Sequence, residues 1–323
     1  MSDRRSVVRQ RQLEPTLCHL LRAMTVSHAR VRRLAALRIA ISVTLAVAGL
    51  VAVLAGSLNS TPFTRSLSIT VTLAGALWAL TYSLGLASWA HRELHRAALL
   101  QETFEVRMFH LGWNHVLAGD EVPPEDVHKL SSRFRGSEDS LRVSYAMPNL
   151  PPPFDVLARQ QQNLAWGGRV RRRYARAVGA ALLAWTAFGL LSAMLRGSTV
   201  TDFLVQWCVP SLGLLMLGWD TFREQRGVFA DRRRVARWSR SRCLLAAPAG
   251  PDPAVRQDLW LMARQVQDQL FLTRRRAPRV PSWFFRRYYV QDSSDFTAGL
   301  AEMRRALVSA GLNIRPPRPG HRP

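Results

Sequence analysis

The sequence predicts an all-α membrane protein. Four transmembrane helices form two hairpins, and a helical, Arg-rich cytoplasmic region is built from helix extensions and terminal helices. Three observations predict this. Four apolar runs contain no Asp, Glu, Lys, Arg or His: Ile39–Leu58, Ser66–Ser88, Ala177–Leu195 and Phe203–Trp219. Each is about 20 residues, the length a helix needs to cross a hydrocarbon core of about 30 Å. They come in pairs, joined only by NSTPFTR and RGSTVTD, which are too short to fold as domains. Finally, almost all of the positive charge of this 323-residue, +23 chain lies outside the pairs.

That charge sets the orientation. Arg4, Arg5, Arg9, Arg11, Arg22, Arg30, Arg32, Arg33 and Arg38 precede the first run, whereas the hairpin loops hold only Arg65 and Arg196. Lys129 and many arginines separate the hairpins, and more follow the fourth run. By the positive-inside rule both termini and the central segment face the cytoplasm of a multi-pass inner-membrane protein. The chain divides accordingly into an amino-terminal arm and helix (1–38), hairpin one (39–88), cytoplasmic helices with a Pro-rich linker (89–176), hairpin two (177–219) and a carboxy-terminal cytoplasmic part (220–323).

In order along the chain, residues 1–13 read as a basic arm. Pro15 opens a helix whose Leu17, Leu20, Leu21 and Met24 recur at helical spacing and which runs on into the first span. The second span continues over 89–118, with an apolar stripe of Leu94, Ala98, Phe104, Met108 and Leu111. Pro123 and Pro124 begin a short helix through Leu130, and 136–153 reads as an extended linker. Asp155 reads as the cap of a helix climbing into the third span. The fourth span continues over 220–246; Asp252 caps and Pro253 opens an amphipathic helix carrying Leu259, Met262, Val266 and Leu270. A basic and aromatic stretch, a helix over about 295–312, and a disordered RPPRPGHRP tail close the chain.

Catalytic signals are missing. There is no P-loop, GxGxxG or GxSxG, and no cofactor motif, so the chain is expected to be neither an enzyme nor a cofactor carrier. His91 and His95 in HRELH stand four apart, but no third metal ligand accompanies them and the pair reads as a solvated face. The three cysteines, Cys18, Cys208 and Cys243, give no disulfide framework or zinc spacing. Coupled transport generally needs ionisable residues within the membrane, and the spans offer only Thr44, Thr81, Thr186, Gln206 and similar mild groups. Small residues at four-residue spacing, Ala48, Ala52 and Gly56 with Gly75 on the next span, suit close helix packing or contact between subunits. Together these are the candidate pore-lining or packing positions. From Arg274 to Tyr289, Arg alternates with Trp, Phe and Tyr. That composition suits a nucleotide, an anionic membrane surface, or packing within the chain.

Four separated stretches resemble the S-4TM family, the four-transmembrane effectors associated with SMODS-type cyclic oligonucleotide synthetases in bacterial CBASS anti-phage defence. They are Val8–Gln12 with Glu14-Pro15; Gln101–Glu105 with Phe109–Asn114 (FHLGWN); Asp155-Val156 with Arg159–Asn163 through Arg172 and Tyr174; and Val266-Gln267-Asp268 with Arg274, Pro278 and Val280–Phe285. Arg159 stands where the family motif has Cys, and Ser282 where it has an acidic residue. The resemblance implies a defence effector that permeabilises the inner membrane in response to a cyclic di- or trinucleotide from a partner synthetase. Because four packed helices close a solid core, a pore is expected to need a homo-oligomer or a large rearrangement of the hairpins, and no stable nucleic-acid partner is expected. The family motifs, together with the basic and aromatic chemistry, make Arg159, Gln162, Asn163, Arg169, Arg172, Arg274, Arg279, Trp283 and Arg286 the candidate ligand contacts. The alternatives are a constitutive channel or transporter, and a tethered scaffold for nucleic acid or lipid.

Overall fold

Helical periodicity without strand alternation leads to a fold that is entirely helical among the described residues. The computed structural model describes residues 14–58, 61–137, 150–249 and 252–311. The basic arm, the centre of the Pro-rich linker and the carboxy-terminal tail lie outside them. The main helices are α1 (Pro15–Leu58), α2 (Pro62–Thr81), α3 (Ala87–Phe109), α4 (His115–Ala118), α5 (Pro124–Ser131), α6 (Phe154–Leu195), α7 (Val200–Phe203), α8 (Val209–Ala246), α9 (Pro253–Arg276), α10 (Ser282–Arg287) and α11 (Tyr289–Ser309). A π-helical turn, Tyr82–Leu86, joins α2 to α3, and another, Leu204–Cys208, joins α7 to α8.

Four helical stretches are long and apolar enough to cross a membrane: Pro15–Gly56, Pro62–Phe109, Phe154–Leu195 and Val200–Ala246. They run 42 to 48 residues. At 1.5 Å per residue that is about twice the hydrocarbon thickness, so each has an apolar half for lipid and a polar half outside it.

The chain forms two compact units, and α1, α3, α6 and α8 each contribute residues to both. The apolar unit comprises Arg30–Glu93 and Arg172–Gly227. Its interior is filled rather than hollow, with Ala46, Ala52, Val53, Val71, Ala79, Ala193, Trp207 and Leu217 all buried. Glycines let the helices close. A Cβ on Gly49 would sit 2.6 Å from the Pro210 ring, and one on Gly75 would sit 2.9 Å from Pro210 Cα. Trp207 fills the notch at Gly189, and Trp78 the notch at Gly213. Two buried hydroxyls take indole protons: Trp78 Nε1 donates to Ser42 Oγ and Trp185 Nε1 to Ser211 Oγ, each at 3.0 Å. The outer face carries Val43, Val47, Val51, Ile69, Leu73, Leu77, Leu183, Leu190, Leu191 and Leu212, all exposed, as lipid contact requires. Arg38 lies 3.6 Å over the Tyr82 ring and pairs with Asp220, while Arg30 faces Trp89, an arrangement typical of a headgroup boundary.

The second unit, Met1–Ala29, Leu94–Arg171 and Val228–Pro323, holds the larger core. The stripes expected on α1, α3 and α9 meet there, as Leu17, Leu20, Leu21 and Met24 pack in one cluster with Phe104, Met108, Leu259, Met262, Val266 and Leu270. Leu157 and Leu164 of α6 and Met303 and Leu307 of α11 complete it.

Three boundaries differ from the sequence reading. The extension of the second span stops at Phe109 instead of continuing to 118, because His110 takes a left-handed conformation (φ 55°) and Leu111 N–H reaches back to Val106 O. That is a Schellman ending with His where glycine is usual, and glycine is the residue a reader looks for. Asp155 does not precede α6; it lies in its first turn, where its carboxylate accepts from Val156 N–H at 2.7 Å. The last helix starts at Tyr289, not near 295, and runs through the polar stretch Asp292, Ser293, Ser294 and Asp295, whose residues are individually weak helix formers.

Candidate functional site

The stretches that stand apart in the sequence converge on a buried polar network in the second unit. Its centre is Glu105 on α3, 0% exposed. Arg274 of α9 grips it bidentately, Nη1 to Oε2 at 2.8 Å and Nη2 to Oε1 at 2.9 Å. Gln267 Nε2 donates to Oε2 at 2.8 Å and Gln101 Nε2 to Oε1 at 2.9 Å, so the carboxylate is saturated. Burial alone pushes its pKa up, but the Arg274 guanidinium and these hydrogen bonds hold it below the usual carboxylate range.

One helical turn earlier, Glu102 accepts from Arg264 Nη2 (2.6 Å) and from the same Gln267 Nε2 (2.8 Å). Here burial outweighs Arg264, and the pKa rises. Gln267 Oε1 accepts from Gln160 Nε2 of α6 at 3.1 Å, and Gln160 also donates to Ala263 O. Gln101 Oε1 accepts from Arg279 Nη2 at 2.8 Å and lies 3.1 Å from His28 Nε2 of α1. Residues more than a hundred positions apart are thus tied by charge-assisted bonds in a buried setting, where such bonds are strongest.

The FHLGWN stretch is the supporting frame. After the turn at His110, Gly112 O accepts from Arg264 Nη1 at 2.8 Å. Trp113 Nε1 donates to Gly119 O at 2.8 Å, and Asn114 Oδ1 accepts from Leu117 N–H, capping α4. Asn114 Nδ2 donates to Asp268 Oδ2, whose other oxygen accepts from Arg264 at 2.6 Å.

The candidate ligand contacts fall into different settings. Arg274 is committed to Glu105, and Arg279 reaches Gln101 from an exposed position. Arg159, 8% exposed, donates to Gln162 Oε1 at 2.6 Å, and Asn163 contributes its carbonyl to Arg232 Nη1 at 3.1 Å. Arg169 is half-buried. Arg286 is exposed and Trp283 is 70% exposed, while Phe284 beside them is buried and Phe285 stacks on Trp166 at 5.5 Å. Arg172 belongs to the apolar unit.

Among the candidate span positions, Ala52 and Gly75 are buried, Ala48 and Gly56 half-buried, and Thr44, Thr81 and Thr186 exposed. Gln206 donates to Asp202 at 3.4 Å. His95 packs against Phe271, with ring centroids 6.0 Å apart, and no metal-holding cluster of His, Cys, Asp and Glu occurs among the described residues.

Sequence reasoning missed Gln160, Gln267 and Glu102 as network members, and did not name Arg171 or Arg232 as site residues. Arg171, 5% exposed, donates to Pro278 O and Ala277 O; Arg232, 6% exposed, donates from Nε to Thr273 Oγ1 at 3.0 Å. In so Arg-rich a chain only burial singles them out.

Described residues that are all helical or connecting, four apolar helices of membrane-crossing length and a second unit with a buried polar network define a helical membrane protein. Residues 6–303 match the SMODS-associating 4TM effector domain, and the chain belongs to that family. It is 24% identical over 207 residues to a probable CBASS effector molecule of Bacillus cereus (strain VD146), covering 64% of this chain and 69% of that protein. No solved structure matches it.

Proposed function

We propose that this protein is the membrane-acting effector of a CBASS-type anti-phage system. A cyclic oligonucleotide from a partner synthetase drives copies of it to assemble in the bacterial inner membrane and permeabilise it, with both termini in the cytoplasm and no catalysis by this chain. The observation that carries this is the family match across both hairpins and the polar unit, on a chain whose hairpins present an exposed belt of Val, Ile and Leu. The positive-inside rule supports the orientation, since the Arg-rich segments flank the spans and the loops between them are short.

Packing constrains the mechanism. The apolar unit has Pro210 wedged against Gly49 and Gly75 and Trp207 against Gly189, so among the described residues its helices pack directly on one another, as in a solid four-helix bundle. Permeability therefore requires several copies or a repacking of the hairpins. A ligand shifts that equilibrium only as far as it binds the assembled state better than the separate one.

The test is dye release from proteoliposomes, with and without cyclic di- and trinucleotides. Release only with a nucleotide is expected. Immediate release without one would indicate a constitutive channel, and none under any condition a scaffold; either sinks the proposal.

A further inference from the structure

Buried charges in proteins are ordinarily neutralised by a partner, and Arg232 departs from that rule. It lies inside the polar unit, 6% exposed, on the half of α8 beyond the membrane span. Its hydrogen bonds among the described residues end on uncharged oxygens, Nε on Thr273 Oγ1 and Nη1 on the Asn163 carbonyl. The position is prepared for a guanidinium: Gly167 faces Nη1, and a Cβ there would collide with it.

The surroundings add positive charge rather than remove it. Burial lowers the pKa of Arg232 well below its ordinary value, and Arg171, Arg274 and Arg279 press in the same direction. Glu105 opposes them, but it is already held bidentately by Arg274. One short segment gathers the group. Thr273 takes Arg232, Arg274 takes Glu105, Ala277 and Pro278 take Arg171, and Arg279 takes Gln101. Solvent approaches on two sides, since Arg279 is exposed and Thr273 lines an open cavity of about 400 Å³ shared with Arg275, Arg276 and Asp231, whose carboxylate pairs with Arg276 and Arg234 rather than with Arg232.

We propose that Arg232, at the segment on which Arg171 and Arg279 also converge, forms a binding site for a phosphate-bearing anion whose negative charge neutralises the Arg232 guanidinium. Guanidinium forks match phosphate oxygens in geometry, and two or three phosphodiesters in one small molecule match several forks. Taking the anion to be a cyclic oligonucleotide rests on the function proposed above; the site itself rests on the buried Arg232 and its uncharged partners. A lipid headgroup phosphate has the same chemistry and is separated by experiment.

The experiment uses the full chain in nanodiscs and reads thermal unfolding. The probes are cyclic di-AMP, cyclic GMP–AMP, cyclic tri-AMP and inorganic phosphate, in discs with and without phosphatidylglycerol. At about 100-fold excess over Kd, a ligand bound only by the folded state raises Tm by several degrees. Arg232→Met should match or exceed the wild-type Tm in anion-free phosphatidylcholine discs, because it removes an uncompensated buried charge, and should lose the anion-dependent gain. Arg232→Lys, which keeps the charge without the fork, should retain part of the gain and shows that the position can be altered without unfolding the protein.

A nucleotide-dependent gain that Arg232→Met abolishes supports both the site and the proposed function. An equal gain in wild type and Arg232→Met overturns the site and leaves the function standing. A gain only with inorganic phosphate or phosphatidylglycerol, lost in Arg232→Met, upholds the site and removes the nucleotide. No gain with any probe overturns the site.

Discussion

Arg274 and Glu105 are 169 positions apart in the chain and share two hydrogen bonds in a fully buried setting. Removing one member strands the other's charge, a loss of about 3–5 kcal/mol for pairs of this kind. Arg274→Met should therefore lower stability by that order, and Glu105→Leu combined with Arg274→Met should recover much of it. A double-mutant cycle on thermal unfolding in detergent checks this; simple additivity would mean that the two side chains do not act as a pair. Asp155 makes a second prediction. Burial pushes its pKa from 3.8 to about 6, against the opposing backbone hydrogen bond from Val156. The folded state thus holds a proton that the unfolded state releases, so this contribution is complete below pH 3.8 and is lost as pH rises through about 6. It amounts to at most about 3 kcal/mol. Asp155→Asn should flatten that fall in Tm across the same window, and an unchanged pH profile would contradict it. At this scale the sequence was least legible. It marks Arg274 and Arg279 as chemically capable but gives no sign that one is committed to Glu105, because pairing across 169 residues leaves no local signature.

Elements were far more legible. Leu17, Leu20, Leu21 and Met24 keep helical register and are all buried, and Asp252 caps α9 through Ala254 N–H as its position before Pro253 predicts. What escaped was determined by backbone geometry or by a partner helix. The left-handed His110 hides the end of α3. The small residues Ala48, Ala52, Gly56 and Gly75 are visible in the sequence, yet of these only Gly75 makes one of the close contacts of the apolar unit; Gly49, Gly189, Gly213 and Gly218 are singled out only by their partners Pro210, Trp207, Trp78 and Leu182. Gly75→Ala puts a Cβ 2.9 Å from Pro210 Cα, and backbone cannot yield as a flexible side chain does. A loss of about 1–3 kcal/mol is expected, measured by thermal unfolding in detergent. At Gly56 an added Cβ meets nothing within 4 Å, so Gly56→Ala should be nearly silent. Equal effects at the two positions would refute the packing assigned to Pro210.

For the molecule as a whole, the sequence separates hydropathy from charge so sharply that the class of fold follows from it. Uncharged runs in pairs make the apolar unit, and the Arg-rich remainder, ordered by a network of family motifs, makes the polar one. A filled four-helix interior beside an exposed apolar belt fits the proposed action, in which several copies assemble before the membrane leaks. The most direct measurement is the initial rate of dye release from proteoliposomes as the protein-to-lipid ratio is raised, with and without an activating cyclic oligonucleotide. The account predicts a negligible rate without nucleotide and, with it, a rate rising more steeply than the first power of protein density. A rate linear in protein and indifferent to nucleotide would contradict it.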